Sequence, residues 1–241
     1  MSDGSRLVLA IDTASAEVSV ALGTDDGLRA ERRWTIATTV SKELLAEVHA
    51  LLSEAGVGRD ELEAMAICAG PGGYGGLRAG IATAQGMALA LDVPLAAVSR
   101  LEADAAPHLE SGSPGRPVVA VHDAGRSGLA WAAYACPARG ELPEELAAPW
   151  ITSAEECAVA APAGALWCGE ISETLASALG MSGREGDSMA KPPAHSRAAA
   201  VLELARKRGT YDDPALADAV YLRPPSITPP KTKPSNSQSP R

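Results

Sequence analysis

The sequence predicts an α/β protein built from two related halves, and three observations carry that expectation. Residues 6–11 form an apolar run that ends at Asp12-Thr13, and after a short polar turn residues 18–22 alternate apolar and small side chains. The same plan returns later: the apolar run 117–122 ends at Asp123, residues 124–128 are small and polar, and 129–134 is again apolar. The third observation is composition. Hydrophobic residues make up 46% of the chain, but aromatics only 3%, with no Phe, and about a fifth of the residues are Ala. Such a core closes by bringing backbones together across small side chains, which favours tightly packed helices and sheets over a wide cavity.

The elements follow in order. Residues 6–11 and 18–22 read as a β-hairpin, and 28–34 add a third strand. A helix begins at Ser41, with Leu44, Leu45, Val48, Leu51, Leu52 and Ala55 at helical spacing and Gly56 as its stop. Residues 64–69 read as a buried strand, and the glycine loop 70–76 leads into a helix over 77–91, stopped by Asp92-Val93-Pro94. A strand at 95–98 closes the first half. After the second hairpin come a strand at 166–168 and helices near 172–179 and 196–208.

Length and charge bound the rest. A chain of 241 residues allows one to two domains and can bury roughly 70% of its unfolded surface, so no staple is required. Pro, Ser and Gly cluster at 106–115, which sets the expected organisation: 1–105 as the first subdomain with the interface helices, 106–222 as a smaller second one, and 223–241 as a disordered, basic, Pro-rich tail. The net charge is −9. Setting aside the tail's Arg223, Lys231, Lys233 and Arg241 leaves 17 basic against 30 acidic residues, or −13, for residues 1–222. Such a body has no overall attraction to a phosphate backbone. Residues 1–5 are polar, with no basic and apolar leader pattern, and no apolar run is long enough to span a bilayer. The expectation is a soluble, cytoplasmic protein.

Self-contained catalytic sets are missing from the motifs. Cys68, Cys136, Cys157 and Cys168 form no C-x-x-C pair and lie in apolar stretches, so they read as reduced, buried thiols. His49, His108, His122 and His195 are far apart, and no metal-binding or nucleophile-elbow spacing occurs. Residues 70–75 spell G-x-G-x-x-G between strand and helix, the spacing of a dinucleotide turn. However, Asp92, near the distance of a ribose-binding acid, ends the helix rather than the next strand. A turn for close backbone packing fits better.

The helix after that loop is small on nearly every face, with Gly76, Ala79, Gly80, Ala82, Thr83, Ala84 and Gly86. Each interior Gly costs about 1 kcal/mol relative to Ala, tolerable where another backbone approaches, of this chain or a partner. Arg78, in the first turn, opposes the helix dipole and calls for a carboxylate in this chain or another. Asp12 and Asp123 end the first strand of each half. A carboxylate at a hairpin tip can hold magnesium or orient water beside a phosphate, or simply cap its turn. Two such hairpins facing a cleft are the plan of actin-like ATPases.

The residues then resemble a known family. Ala10-Ile11-Asp12-Thr13-Ala14-Ser15 with Val18-Ser19-Val20-Ala21-Leu22, Gly70-Pro71-Gly72, Gly76-Leu77-Arg78 with Gly80, and Ala84-Gln85-Gly86 are similar to the TsaB (YeaZ) family of tRNA threonylcarbamoyladenosine biosynthesis proteins. Val98-Ser99-Arg100-Leu101-Glu102, Asp123-Ala124, Trp131-Ala132 with Tyr134, and Tyr221-Leu222-Arg223 extend the likeness. The resemblance implies an actin-like (ASKHA, ribonuclease H-like) α/β fold of two related subdomains. It also implies a non-catalytic partner of TsaD, the metal-dependent homologue that transfers a threonylcarbamoyl group to tRNA, in a heterodimer that TsaE joins. tRNA would be met only through that complex, and a homodimer stays open for the isolated chain. No cofactor of its own is implied; ATP or ADP at the complex interface stays open.

On this reading Leu44, Leu51, Leu52, Gly72, Gly76, Arg78, Gly80 and Thr83 form the partner interface, and Asp12, Thr13 and Asp123 are candidates for a nucleotide or phosphate contact. Departures from the family pattern are Val40-Ser41 where His-Ser/Thr is usual, with Val40 expected to staple onto Leu45, and the segments 73–75 and 125–130. Two rivals stand beside this reading: an actin-like ATPase or sugar kinase working through Asp12 and Asp123, and a Gcp-type peptidase, for which neither nucleophile nor metal ligand is in place.

Overall fold

In the computed structural model, which describes residues 6–111, 115–135, 141–181 and 184–222, the hairpin expected at the start is the centre of a five-stranded sheet. Strand β1 (Val8–Asp12) pairs antiparallel with β2 (Glu17–Thr24), which pairs antiparallel with β3 (Gly27–Thr35). On its other side β1 runs parallel to β4 (Ala64–Gly70), and β4 to β5 (Leu95–Ser99), giving the order β3-β2-β1-β4-β5. β1 and β4 are buried on both faces, which is why they read as continuous apolar runs.

The second sheet repeats this plan. β6 (Val118–Asp123) and β7 (Leu129–Ala135) form the hairpin, β8 (Glu144–Thr152) pairs antiparallel outside β7, and β9 (Leu166–Gly169) and β10 (Ser188–Met189) run parallel beyond β6. Read from β8, the order is the same as in the first sheet, strand for strand and direction for direction. This duplicated 3-2-1-4-5 order, with the second strand antiparallel, is the actin-like, ribonuclease H-like arrangement that the sequence predicts.

Helices sort the core by side-chain size. Outside the first sheet lie α1 (Val40–Ala55) and α2 (Tyr74–Leu91), where Leu44, Leu51 and Ile81 meet Leu9, Ile11, Val20 and Leu22. α4 (Ala154–Ala160) and α5 (Glu173–Met181) cover the outside of the second sheet, and Cys157 and Leu175 pack there on Trp131 and Trp167. Between the sheets lie α3 (Arg100–Ser111) and α6 (Arg197–Arg208). α6 lays Ala198, Val201, Leu202 and Ala205 on Val8, Ala10, Ala21 and Ala66, while α3 lays Leu101, Ala105 and Leu109 on Val118, Ala120 and Ala132. The alanine excess is concentrated in this middle layer, where four backbone layers must approach one another. The large side chains fill the outer layers.

Several expectations are corrected by this packing. The join expected over 106–115 falls partly within α3, which runs through Pro107 to Ser111 although proline removes a helix hydrogen bond. Its buried stripe Leu101–Ala105–Leu109 on the second sheet holds it. Residues 197–222, expected in the second subdomain, pack on the first sheet through α6. They continue with Asp212 bridging Leu95, Gln85 donating to the carbonyls of Pro214 and Ala217 (2.9 Å each), and Val220 donating to Ala69 (2.8 Å). α2 starts at Tyr74 rather than 77, because the Gly73 carbonyl already accepts from Leu77 (2.9 Å).

Sequence reading passed over β8 and α4, although Ser153 and Glu156 form a reciprocal capping box. Leu45, expected on the buried face of α1, is 53% exposed. Val40 is itself the first helical residue and is buried, so it forms no staple onto Leu45. Cys68, Cys157 and Cys168 are buried free thiols, and burial pushes all three up from their ordinary pKa. Cys136 and the tail 223–241 lie outside the described residues.

Candidate functional site

The two hairpin tips and the inter-sheet helices meet at the end of β1. Asp12 is 1% exposed there, and both its oxygens are taken. Oδ1 accepts the Ala14 N–H (3.0 Å), and Oδ2 accepts Nη1 of Arg197 (2.7 Å), the first residue of α6. The Nε of Arg197 reaches Asp104 Oδ1 on α3 at 2.6 Å, and its Nη1 reaches Ser15 Oγ at 3.1 Å. Burial opposes the charge on Arg197, but Asp12 and Asp104 outweigh it and raise its pKa. A carboxylate so engaged can hold a cation only by expelling the guanidinium.

A second guanidinium extends the network towards the other hairpin. Arg100, fully buried at the start of α3, pairs with Asp104 (3.4 Å) and with Glu170 just after β9, and lies within 2.8 Å of His122 Nδ1. Nη1 also approaches the carbonyls of Ala14 (3.4 Å) and Pro71 (3.5 Å), tying the first turn to the glycine loop. Glu170 Oε2 meets His122 Nδ1 at 2.7 Å and accepts the Asp123 N–H (3.2 Å). Burial alone would raise the Glu170 pKa. The His122 hydrogen bond and the charge and hydrogen bonds of Arg100 prevail and lower it to about 2.

Asp123 behaves differently from Asp12. Its Oδ1 accepts the Gly125 N–H (2.8 Å), capping its own turn, and it borders a cavity of about 330 Å³ shared with Gly72, Gly73 and Tyr221. No hydrogen bond or ion pair joins Asp12 to Asp123 among the described residues. Of the three residues expected at a phosphate, Asp12 and Thr13 are both 1% exposed, and only Asp123 faces open space. No group of three His, Cys, Asp or Glu among the described residues is arranged to hold a metal ion.

The glycines expected at a partner surface are turned inward instead. Gly72, Gly76 and Gly80 follow one another at four-residue steps along the loop and α2, and all three face the first hairpin turn. A Cβ would lie 2.3 Å from the Ala14 carbonyl oxygen at Gly72, 2.5 Å from the Thr13 carbonyl oxygen at Gly76, and 2.0 Å from Thr13 Oγ1 at Gly80. Thr13 Oγ1 in turn donates to the Gly76 carbonyl (2.9 Å). These glycines serve the close approach of α2 to its own sheet. Leu44, Leu51 and Leu52 are likewise in the chain's own core.

What α1 and α2 present outward is another set. Thr83 is half-buried and donates to the Ala79 carbonyl (2.7 Å), Ala82 and Gly86 are exposed, and Leu89 is 60% exposed. A groove of about 580 Å³ runs between the helices, lined by Leu45, Val48, His49, Met87, Ala90 and Leu91 among others. Arg78 forms no ion pair with a carboxylate among the described residues, although the Asp218 charge acts on it from a distance. Its Nε donates to the Tyr221 hydroxyl (3.2 Å), and its guanidinium stacks 4.5 Å from the centre of the Tyr74 ring. These contacts raise its pKa, the Tyr221 hydrogen bond most.

Arg100, Asp104, Glu170 and Arg197 were missed as a group by sequence reasoning. The available signal was a charge set against alanine: Arg197 precedes Ala198-Ala199-Ala200, and Asp104 sits between Ala103 and Ala105.

Known proteins share this architecture. A family model described as TsaD, tRNA N6-adenosine threonylcarbamoyltransferase, matches residues 36–141. The TsaB protein of Bacillus subtilis, described as a tRNA threonylcarbamoyladenosine biosynthesis protein, is 35% identical over 99 residues, 41% of this chain and 43% of that protein. The TsaB of Escherichia coli is 34% identical over 127 residues, 53% and 54% of the two chains. The matched parts thus span about half, or less, of these curated relatives. The solved structure of YeaZ from Pseudomonas aeruginosa is 28% identical and superposes with a TM-score of 0.70 over 90% of this chain and 100% of its own. In sequence over about half of its length, and in fold over nine-tenths of it, the chain resembles the TsaB/YeaZ family.

Proposed function

We propose that this protein is the supporting, non-catalytic partner of a TsaD-type threonylcarbamoyltransferase in the formation of N6-threonylcarbamoyladenosine in tRNA. The observation that carries the non-catalytic part is the closure of Asp12 by Arg197 and the Ala14 amide: the hairpin carboxylate that an actin-like ATPase would turn to a metal or phosphate is spent on holding α6. The relatives support the setting, since both TsaB and TsaD descriptions name the same modified nucleoside. The partner docks on the outward faces of α1 and α2, along Leu45, Ala82, Gly86 and Leu89, and the tRNA is reached through it. TsaE joins that assembly, which works in the cytoplasm. No helix among the described residues is long and apolar enough to cross a membrane, which accords with this reading.

Reconstitution tests it. The chain is mixed with a TsaD protein and TsaE, and modified tRNA is measured with each component left out. The reading expects a TsaD complex by analytical ultracentrifugation, modification that depends on the chain, and no ATP turnover by the chain alone. Turnover near 1 per second by the isolated chain, an ordinary slow enzyme rate, would overturn it.

A further inference from the structure

We propose that the inter-sheet cavity beneath the strap formed by residues 189–196 binds a small organic anion with an apolar body, its charged end at Lys191 and a hydroxyl of the body at His108. This stands apart from the TsaD partnership, because the cavity lies at α3, α6 and the strap rather than on the outward faces of α1 and α2, and needs no second protein.

The cavity measures about 800 Å³, within the range of sites that enclose a small molecule. Its walls are α3, α6 and the strap, with Ala106, Ala199, Ala200, Leu166, Pro192 and Pro193 giving an apolar lining. The volume follows from composition: the alanines that let α3 and α6 approach the sheets leave space where larger side chains would otherwise interlock. An apolar void forfeits dispersion contacts that a ligand body restores. A second space of about 360 Å³ continues past His108 and Lys191 towards Trp167 and Glu170.

The strap is pinned by the chain's own hydrogen bonds. Ala190 donates to the Trp167 carbonyl (2.7 Å), Arg33 donates to the Ala194 carbonyl (2.8 Å), and Glu31 holds the Ser196 N–H (2.7 Å) and His195 Nδ1 (3.0 Å). A preformed roof spares a ligand the cost of ordering it.

Charge decides the ligand class. The carboxylates in the wall, Glu110 and Glu203, are already paired with Lys207 and Arg206. Lys191 borders both spaces and has no acidic partner among the described residues, so the uncompensated charge at the larger cavity is positive, while the smaller space also meets Glu17. His108 also borders both spaces, is buried, and makes no hydrogen bond to other described residues. Burial lowers its pKa against the pull of Asp104, which favours the neutral imidazole with its one N–H and one lone pair. An anion seeks the lysine; a hydroxyl satisfies the imidazole.

The probe is anilinonaphthalene sulfonate bound to the full chain, its fluorescence displaced by octanoate, 8-hydroxyoctanoate or inorganic phosphate. The expected result is displacement by octanoate, displacement by 8-hydroxyoctanoate at a concentration about 2- to 10-fold lower, as one net hydrogen bond gives, and none by phosphate. In Lys191→Glu, a change at an exposed position checked for folding by urea melt, both carboxylates should weaken by about ten-fold or more. In His108→Leu the advantage of the hydroxylated acid should vanish while octanoate binding persists. Displacement unchanged in Lys191→Glu, which would place the probe in the groove between α1 and α2, overturns the proposal. So does phosphate competing as well as octanoate, or a hydroxyl advantage that survives His108→Leu.

Discussion

Replacing Arg197 by Met removes a guanidinium that closes two buried carboxylates at once, Asp12 at 2.7 Å and Asp104 at 2.6 Å. Their side chains are 1% and 11% exposed, so water cannot take over the lost hydrogen bonds at Asp12, while Asp104 keeps Arg100 at 3.4 Å. Breaking a buried ion pair from one side costs about 3–5 kcal/mol, because the remaining charge stays desolvated. At roughly 2–4 °C per kcal/mol for a protein of this size, the melting temperature should fall by roughly 6–20 °C. The double variant Arg197→Met with Asp12→Asn should be markedly more stable than the single variant, since the neutral amide can still accept the Ala14 N–H. Urea melts of the wild type, both single variants and the double variant give the coupling directly. A loss below about 1 kcal/mol in Arg197→Met, or no recovery in the double variant, would refute the claim that Arg197 closes Asp12.

Other outcomes follow from neighbouring geometry. Gly80→Ala should destabilise by at least the 1–3 kcal/mol usual for overpacking, its methyl driven into Thr13, whereas Gly86→Ala, with nothing within 4 Å, should stabilise the helix by about 1 kcal/mol in the same urea melts. Leu45→Glu should leave the melt nearly unchanged and lower association with a TsaD protein in sedimentation, while Leu51→Ala should cost about 2–5 kcal/mol of stability. For Glu170 the folded pKa lies near 2 against an ordinary 4.5, so its stabilisation is present above pH 4.5 and is lost as pH falls towards 2. Urea midpoints measured across that window should fall less steeply in Glu170→Gln than in the wild type.

The amino-acid sequence by itself determined the local plan of this protein. The apolar run ending at Asp12, its echo ending at Asp123, the apolar stripe of α1 and the αL stops at Gly56 and Asp92 are interactions among near neighbours, so their signals lie in the order of the residues. Motif resemblance likewise pointed to the duplicated fold. Tertiary structure alone decided which faces those elements use. Gly72, Gly76 and Gly80 are small for the sake of Thr13 and Ala14, some sixty residues earlier, and no local pattern tells a glycine meant for its own sheet from one meant for a partner. Leu44 and Leu45 are adjacent and equally apolar, yet one is fully buried and the other 53% exposed, because α1 is rotated by its contact with the sheet. Asp12 looked free until α6 returned from the far end of the chain to lay Arg197 upon it. Electrostatic neutralisation in a desolvated cleft needs charges brought together in space, and a separation of 185 positions between these two leaves no trace of that meeting in the sequence.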